Sequence, residues 1–216
     1  MHIPDGVLPL PVAAGGFALA AGVTWISLRR IERAWPDPRK GVPKASLLTA
    51  VFFMASLVHL PVPPVSVHLV LSGLMGVVLG WYAFPAILVG LFLQSVMFQH
   101  GGLAMLGVNA CLIGIPALLA HRIFSLRTMF GASWRVPASA GLGFLAALSA
   151  VGLGAAAAAL LIVTTAPAYL DAAVEQAAVG ALLLAYIPLG LVEGVFAAMV
   201  VLFLLRVQPG LLEERF

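Results

Sequence analysis

A histidine at position 2 can do what histidines elsewhere in a chain cannot. With a free amine on Met1, three nitrogens converge on one ion: the amine, the amide nitrogen of His2, and its imidazole Nδ1. Amine and amide close a five-membered chelate ring, and amide and Nδ1 a six-membered one. The amide must lose its proton, which favours a strongly polarising ion with a planar preference. Square-planar nitrogen sites point to Ni(II) or Cu(II). The fourth corner of the plane is left open, and a second histidine from the fold can fill it. Pro4 restricts Ile3 to extended backbone, and Asp5-Gly6 is a turn signal. Both suit a segment held in place rather than a loose end.

Candidates for that fourth corner are His59, His68 and His100, three of the few polar residues inside otherwise apolar stretches. Polar groups at membrane depth are costly and mark function. The remaining ones are Asn109 and Glu193. His121 adjoins Arg122 and reads as a solvated interfacial residue. The single cysteine excludes a disulfide framework or a thiolate cluster.

The elements that must position these groups follow from composition. The chain is 62% hydrophobic and 9% charged, against about 25% charged in soluble domains. It reads as an all-α, polytopic membrane helix bundle. A spanning helix needs about 20 apolar residues. Seven candidate spans fit, at roughly 10–28, 45–60, 68–83, 85–100, 102–120, 136–165 and 180–205. The second and third are short. A tight turn is expected between Trp81 and Pro85.

The charges orient the bundle. All eleven Lys and Arg fall in Arg29–Lys44, Arg122–Arg135 and the tail from Arg206. Segments 1–9, 61–67, around 101 and 166–179 carry none, and hold only Asp5, Asp171 and Glu175. Seven spans put all basic segments on one side, which the positive-inside rule makes cytoplasmic. The N-terminus is then outside and the C-terminus inside. His2, His59, His68 and His100 share the outer face. No basic, aromatic-interleaved surface suits nucleic acid. The first span has its positive charges after the apolar run, the reverse of a secretory signal, so the mature chain is expected to begin at Met1.

Residues 1–216 form one transmembrane domain, with 1–9 as its N-terminal segment. No internal repeat is evident. Small residues recur in the first span at Ala14, Ala18 and Gly22 and again over Gly154–Ala159. Such spacing lets another helix approach closely, either within the bundle or on another subunit.

The opening Met1-His2-Ile3-Pro4-Asp5-Gly6 resembles the start of the CbiM/NikM family, the substrate-binding membrane subunits of energy-coupling-factor transporters for cobalt and nickel. The resemblance continues at Ser66-Val67-His68-Leu69, Leu71 to Gly76, Gln99-His100-Gly101-Gly102-Leu103, Leu106 to Asn109, and Pro188 to Gly194 around Glu193. It implies that residues 1–9 fold back into the outer mouth of the bundle. The metal is then held by the Met1 amine, the His2 amide and imidazole, and His68. Ser66, His100 and Asn109 would orient these groups by hydrogen bonds, and Asp5 would hold the loop or attract cations. Similar proteins carry a histidine shortly before the glutamate, where this chain has Tyr186, so that position is not a required ligand here. Cobalt-type relatives more often have Cys and Thr around the ligand histidine, which leaves this chain nearer the nickel type.

The resemblance further implies a transport subunit without its own ATPase in the cytoplasmic (inner) membrane of a prokaryote. Ni2+ or Co2+ is the transported substrate, and no organic cofactor is bound. Two ATPase subunits and a membrane coupling subunit supply the energy, in some systems with a small auxiliary membrane subunit. The Ala14, Ala18, Gly22 face would dock the coupling subunit. The chain lacks a Walker glycine loop. An intramembrane metalloprotease is the remote rival, and no histidine pair has the H-E-x-x-H spacing it would need. A stand-alone carrier or channel is the nearer alternative.

Overall fold

The computed structural model describes residues 2–62, 65–165 and 172–212, with backbone alone at 59–62, 65–67, 172–176 and 178. Met1 and Asp171 lie outside the described residues, as do the side chains of His59, Ser66 and Glu175. The helices are α1 (Leu10–Ala34), α2 (Val42–Ala55), α3 (Ser72–Leu79), α4 (Ala83–Phe98), α5 (Leu106–Ser125), α6 (Arg135–Thr165) and α7 (Ala172–Val207). Between α2 and α3 lies one antiparallel hairpin, β1 (His59–Val62) and β2 (Val65–His68), in which His59 stands opposite His68.

Among the described residues, five helical stretches are long and apolar enough to cross a membrane: Leu10–Ala34, Ser72–Phe98, Leu106–Met129, Arg135–Thr165 and Val179–Val207. The sequence reading expects seven spans, and the other members of the bundle are shorter helices. The stretch expected at 45–60 is a helix of 14 residues. It ends at Ala55, where Ser56, Leu57 and Val58 donate to the carbonyls of Phe52, Met54 and Ala55, and Pro61 could not donate to a helix continued through it. An apolar run does not by itself distinguish buried strand from helix.

The stretch expected at 68–83 becomes a loop and the eight residues of α3. Ser72–Phe98 is not one straight rod. As a single helix its 27 residues would separate its ends by about 40 Å. Yet the rings of His68, just before it, and His100, just after it, have centroids 5.3 Å apart. The chain therefore reverses at Gly80–Tyr82, where Gly80 takes φ 58° and ψ −126°, a conformation open to glycine. This is the turn expected near Trp81.

All eight residues of α3 are buried. Gly73 lies against the backbone of Ala147 on α6, and Gly76 against the carbonyl of Ala117 on α5, so a side chain at either would collide with main chain. In lipid, such close approach supplies the van der Waals packing that holds helices together. The non-helical loop before α3 is tolerated at this depth because protein surrounds it.

Helix α1 packs on α5 through Ala13, Gly16 and Ala20, with Gly16 against Val108 and Gly107 against Phe17. Ala14, Ala18 and Gly22 lie on the other side and are exposed. Gly154, Ala155, Ala158 and Ala159 are buried within the bundle.

The basic segments gather at the end opposite the histidines. Arg30 and Arg122 both stack on Trp81, at 5.4 and 5.0 Å. Lys44 donates to the Leu211 carbonyl at 2.9 Å, and Arg127 to that of Leu212. His121 departs from expectation here. It is buried, 3% exposed, because the Trp81 ring covers it edge-on at 6.1 Å.

Candidate metal centre

Residues 2–9 turn back over the bundle and are held along their length. Ile3 and Leu8 are buried with Ala13, Met105, Val108, Leu112 and Ala158. Asn109, inside α5, binds the segment as a strand would. Its Oδ1 accepts from the Ile3 N–H at 2.8 Å, and its Nδ2 donates to the Ile3 carbonyl at 2.9 Å and to the Gly101 carbonyl at 2.9 Å. The Asp5 carboxylate accepts from the Met105 N–H at 3.1 Å, where the N-terminal dipole of α5 favours an anion.

Gly101 and Gly102 are required by this seating. Both have positive φ, 86° and 70°. A Cβ on Gly101 would stand 3.1 Å from His2 Cδ2, and one on Gly102 would run into the Asp5 carboxylate. Only glycine gives both the conformation and the space.

The segment delivers His2 to His68 and His100. Each of the three offers a ring nitrogen, and these atoms lie within 4.8 Å of one another. His2 and His68 have ring centroids 4.9 Å apart, and His2 and His100 4.5 Å apart. His68 Nδ1–H donates to the Leu69 carbonyl at 3.1 Å. This leaves Nε2 as the acceptor, and it faces His2 Nδ1 at 3.1 Å. A ring nitrogen fixed on a carbonyl with the other turned inward is the arrangement of metal-binding histidines.

Burial holds the His2 imidazole well below its ordinary pKa, and the charges of the amino terminus, His68 and His100 push the same way. His2 is therefore neutral at pH 7, the state a ligand needs. Gln94 of α4, fully buried, faces the His2 ring and acts in the opposite direction. Gln94 is absent from the sequence-based set, although an amide inside an apolar helix is the same signal that marks Asn109.

Of the residues singled out by sequence, His2, His68, His100, Asn109 and Asp5 thus come together. Ser66 lies on β2 two residues before His68. His59 pairs with His68 through the backbone of the hairpin. Glu193 reaches the loop between β2 and α3: its carboxylate accepts from the Val70 N–H and, at 2.9 Å, from the Leu71 N–H. Tyr186 is buried two helical turns before Glu193 on α7.

Residues 2–211 match the family described as the cobalt uptake substrate-specific transmembrane region, CbiM. The chain belongs to the CbiM family. It is a transmembrane component of cobalt or nickel uptake, a transporter part and not an enzyme. Across 99% of its length it is 34% identical to a Haemophilus influenzae protein whose name assigns it to metal transport, covering 98% of that protein. It is 30% identical to the cobalt transport protein CbiM of Sorangium cellulosum, over 99% of this chain and 95% of that one. The fused nickel transport protein NikMN of Rhodobacter capsulatus is 33% identical over 72% of this chain, which corresponds to 46% of the fused protein. A crystal structure of a truncated transition metal transporter superposes with a TM-score of 0.76 over 95% of this chain and 99% of that one. At 24% identity that likeness shows the shared fold.

Proposed function

We propose that this CbiM-family chain captures Ni2+ or Co2+ at the outer face of the cytoplasmic membrane. The ligands are the Met1 amine, the His2 amide nitrogen and Nδ1, and His68 Nε2. The observation that carries this reading is the 3.1 Å separation of His2 Nδ1 and His68 Nε2. With metal–nitrogen bonds of about 2.0–2.1 Å, neighbouring corners of a square plane are about 2.8–3.0 Å apart. The two nitrogens stand almost where a planar ion needs them. His100, Asn109 and Asp5 keep the terminus seated, and Ser66 supports the His68 strand.

The chain crosses the membrane with its N-terminus outside and its basic end in the cytoplasm. Helices α2, α3 and α4 complete the bundle as shorter members, which gives the seven-helix topology. Two ATPase subunits and a membrane coupling subunit drive release inward, and the coupling subunit docks on the exposed Ala14, Ala18, Gly22 face. The exposure of that face, while Ala13, Gly16 and Ala20 pack inside, supports the assignment.

A second reading is favoured by one observation, the approach of His100 to the other two histidines. Here three imidazoles hold the ion and the amine is not used. The two readings differ in the number of protons that binding releases.

Vesicle uptake tests the transporter assignment. Chain reconstituted with coupling and ATPase subunits accumulates Ni2+ or Co2+ only with ATP. ATP-independent uptake by the chain alone makes it a stand-alone carrier.

A further inference from the structure

Glu193 is the single buried carboxylate among the described residues, 1% exposed and carried on α7. Both of its oxygens are engaged by main chain, one by the Val70 N–H and one by the Leu71 N–H. Leu71 has φ 52°, left-handed for a non-glycine residue, and caps α3. Capping two amides at membrane depth does not need a charge, since a hydroxyl or amide would serve and a buried carboxylate is costly. The charge has a further destination. The Val70 N–H and the Leu69 carbonyl are the two ends of one peptide group, and the Leu69 carbonyl takes the His68 Nδ1–H at 3.1 Å. The order is carboxylate, peptide, imidazole, with Nε2 facing His2 Nδ1 at 3.1 Å. Hydrogen bonds in series polarise one another. A carboxylate behind a metal-bound histidine fixes its tautomer and raises its basicity. Here one peptide unit stands between them.

We infer that Glu193 is a positioning residue for His68, acting through the Leu69–Val70 peptide to aim and strengthen Nε2 as a ligand, and so ties the metal centre to α7. The inference rests on the reading of His68 as a ligand.

The test is a double-mutant cycle on the purified full chain with Cu2+ as probe, the divalent ion that nitrogen sites bind most tightly. Glu193→Gln keeps the volume and removes the charge. It is expected to weaken Cu2+ binding by about 10- to 100-fold, the usual effect of losing an outer partner. It should also move the visible absorption of the complex toward that of His68→Ala. In the His68→Ala background Glu193→Gln should cost nothing further, because the residue through which it acts is gone. A merely structural role predicts equal losses in both backgrounds and an unmoved spectrum. Either of those results, or affinity within about twofold of the parent, overturns the inference. If Glu193→Gln does not yield folded protein, Glu193→Asp withdraws the carboxylate by one methylene and is read by the same comparisons. Unchanged binding by His68→Ala itself would overturn the metal-site reading, and this inference with it. A loss in His68→Ala with none in Glu193→Gln overturns this inference alone.

Discussion

His2 Nδ1 lies 3.1 Å from His68 Nε2 although 66 positions separate the two residues. One is carried by an N-terminal segment with no regular structure, the other by the last residue of a strand inside a helix bundle. Their meeting depends on Asn109, Gly101 and the Leu69 carbonyl.

His68→Ala should lower Ni2+ affinity by more than the about 10- to 100-fold typical of an outer partner, leaving the weak binding of the three N-terminal nitrogens. His121→Ala should leave affinity unchanged, because its ring packs on Trp81 at the opposite end of the bundle. Calorimetric titration of both variants checks this pair.

Binding should release protons, and affinity should therefore rise with pH. The amide gives up one proton, and the amine, with an ordinary pKa of about 7.7–8.0, gives up most of another at pH 7. His2 adds none, since burial holds it neutral well above its lowered pKa. Close to two protons per ion are expected from calorimetry in buffers of different ionisation enthalpy, whereas coordination by three neutral imidazoles would release almost none.

Asn109→Leu removes three hydrogen bonds to Ile3 and Gly101 and leaves the groups unsatisfied or exposed to water. Each buried unsatisfied group costs about 1–3 kcal/mol. The N-terminal segment should lift off while the helices stay packed. Ni2+ affinity should fall about 10- to 100-fold with helical content by circular dichroism unchanged. Loss of helicity together with affinity would place Asn109 in the packing of the bundle instead.

Much of this was legible in the sequence because lipid makes polar residues conspicuous. His2, His68, His100 and Asn109 stand out against apolar neighbours, and they converge. The turn at Trp81 was legible from Pro85, and the basic residues from their clustering. What sequence could not resolve was where apolar chain is not helix. Residues 56–60 and 68–71 fall inside the expected spans, yet α2 ends at Ala55, α3 begins at Ser72, and His59–Val62 pairs with Val65–His68 as strands between them. Glu193 was conspicuous without a role, because its partners are backbone amides of Val70 and Leu71, which no side-chain pattern encodes. Gln94 was hidden in a helix apolar enough to look like lipid-facing filler. His121 reads as solvated in sequence because its cover, Trp81, comes from a turn 40 residues away.

The central claim is that the N-terminal amine itself binds the ion, and adding one glycine ahead of Met1 addresses it directly. The extension moves the amine away from the His2 amide and imidazole but leaves every side chain in place. The account predicts that Ni2+ affinity of the purified extended chain, measured by calorimetric titration, falls by about a hundredfold or more, ~2.7 kcal/mol. Affinity equal to that of the parent would contradict it and leave the three histidines as the ligand set.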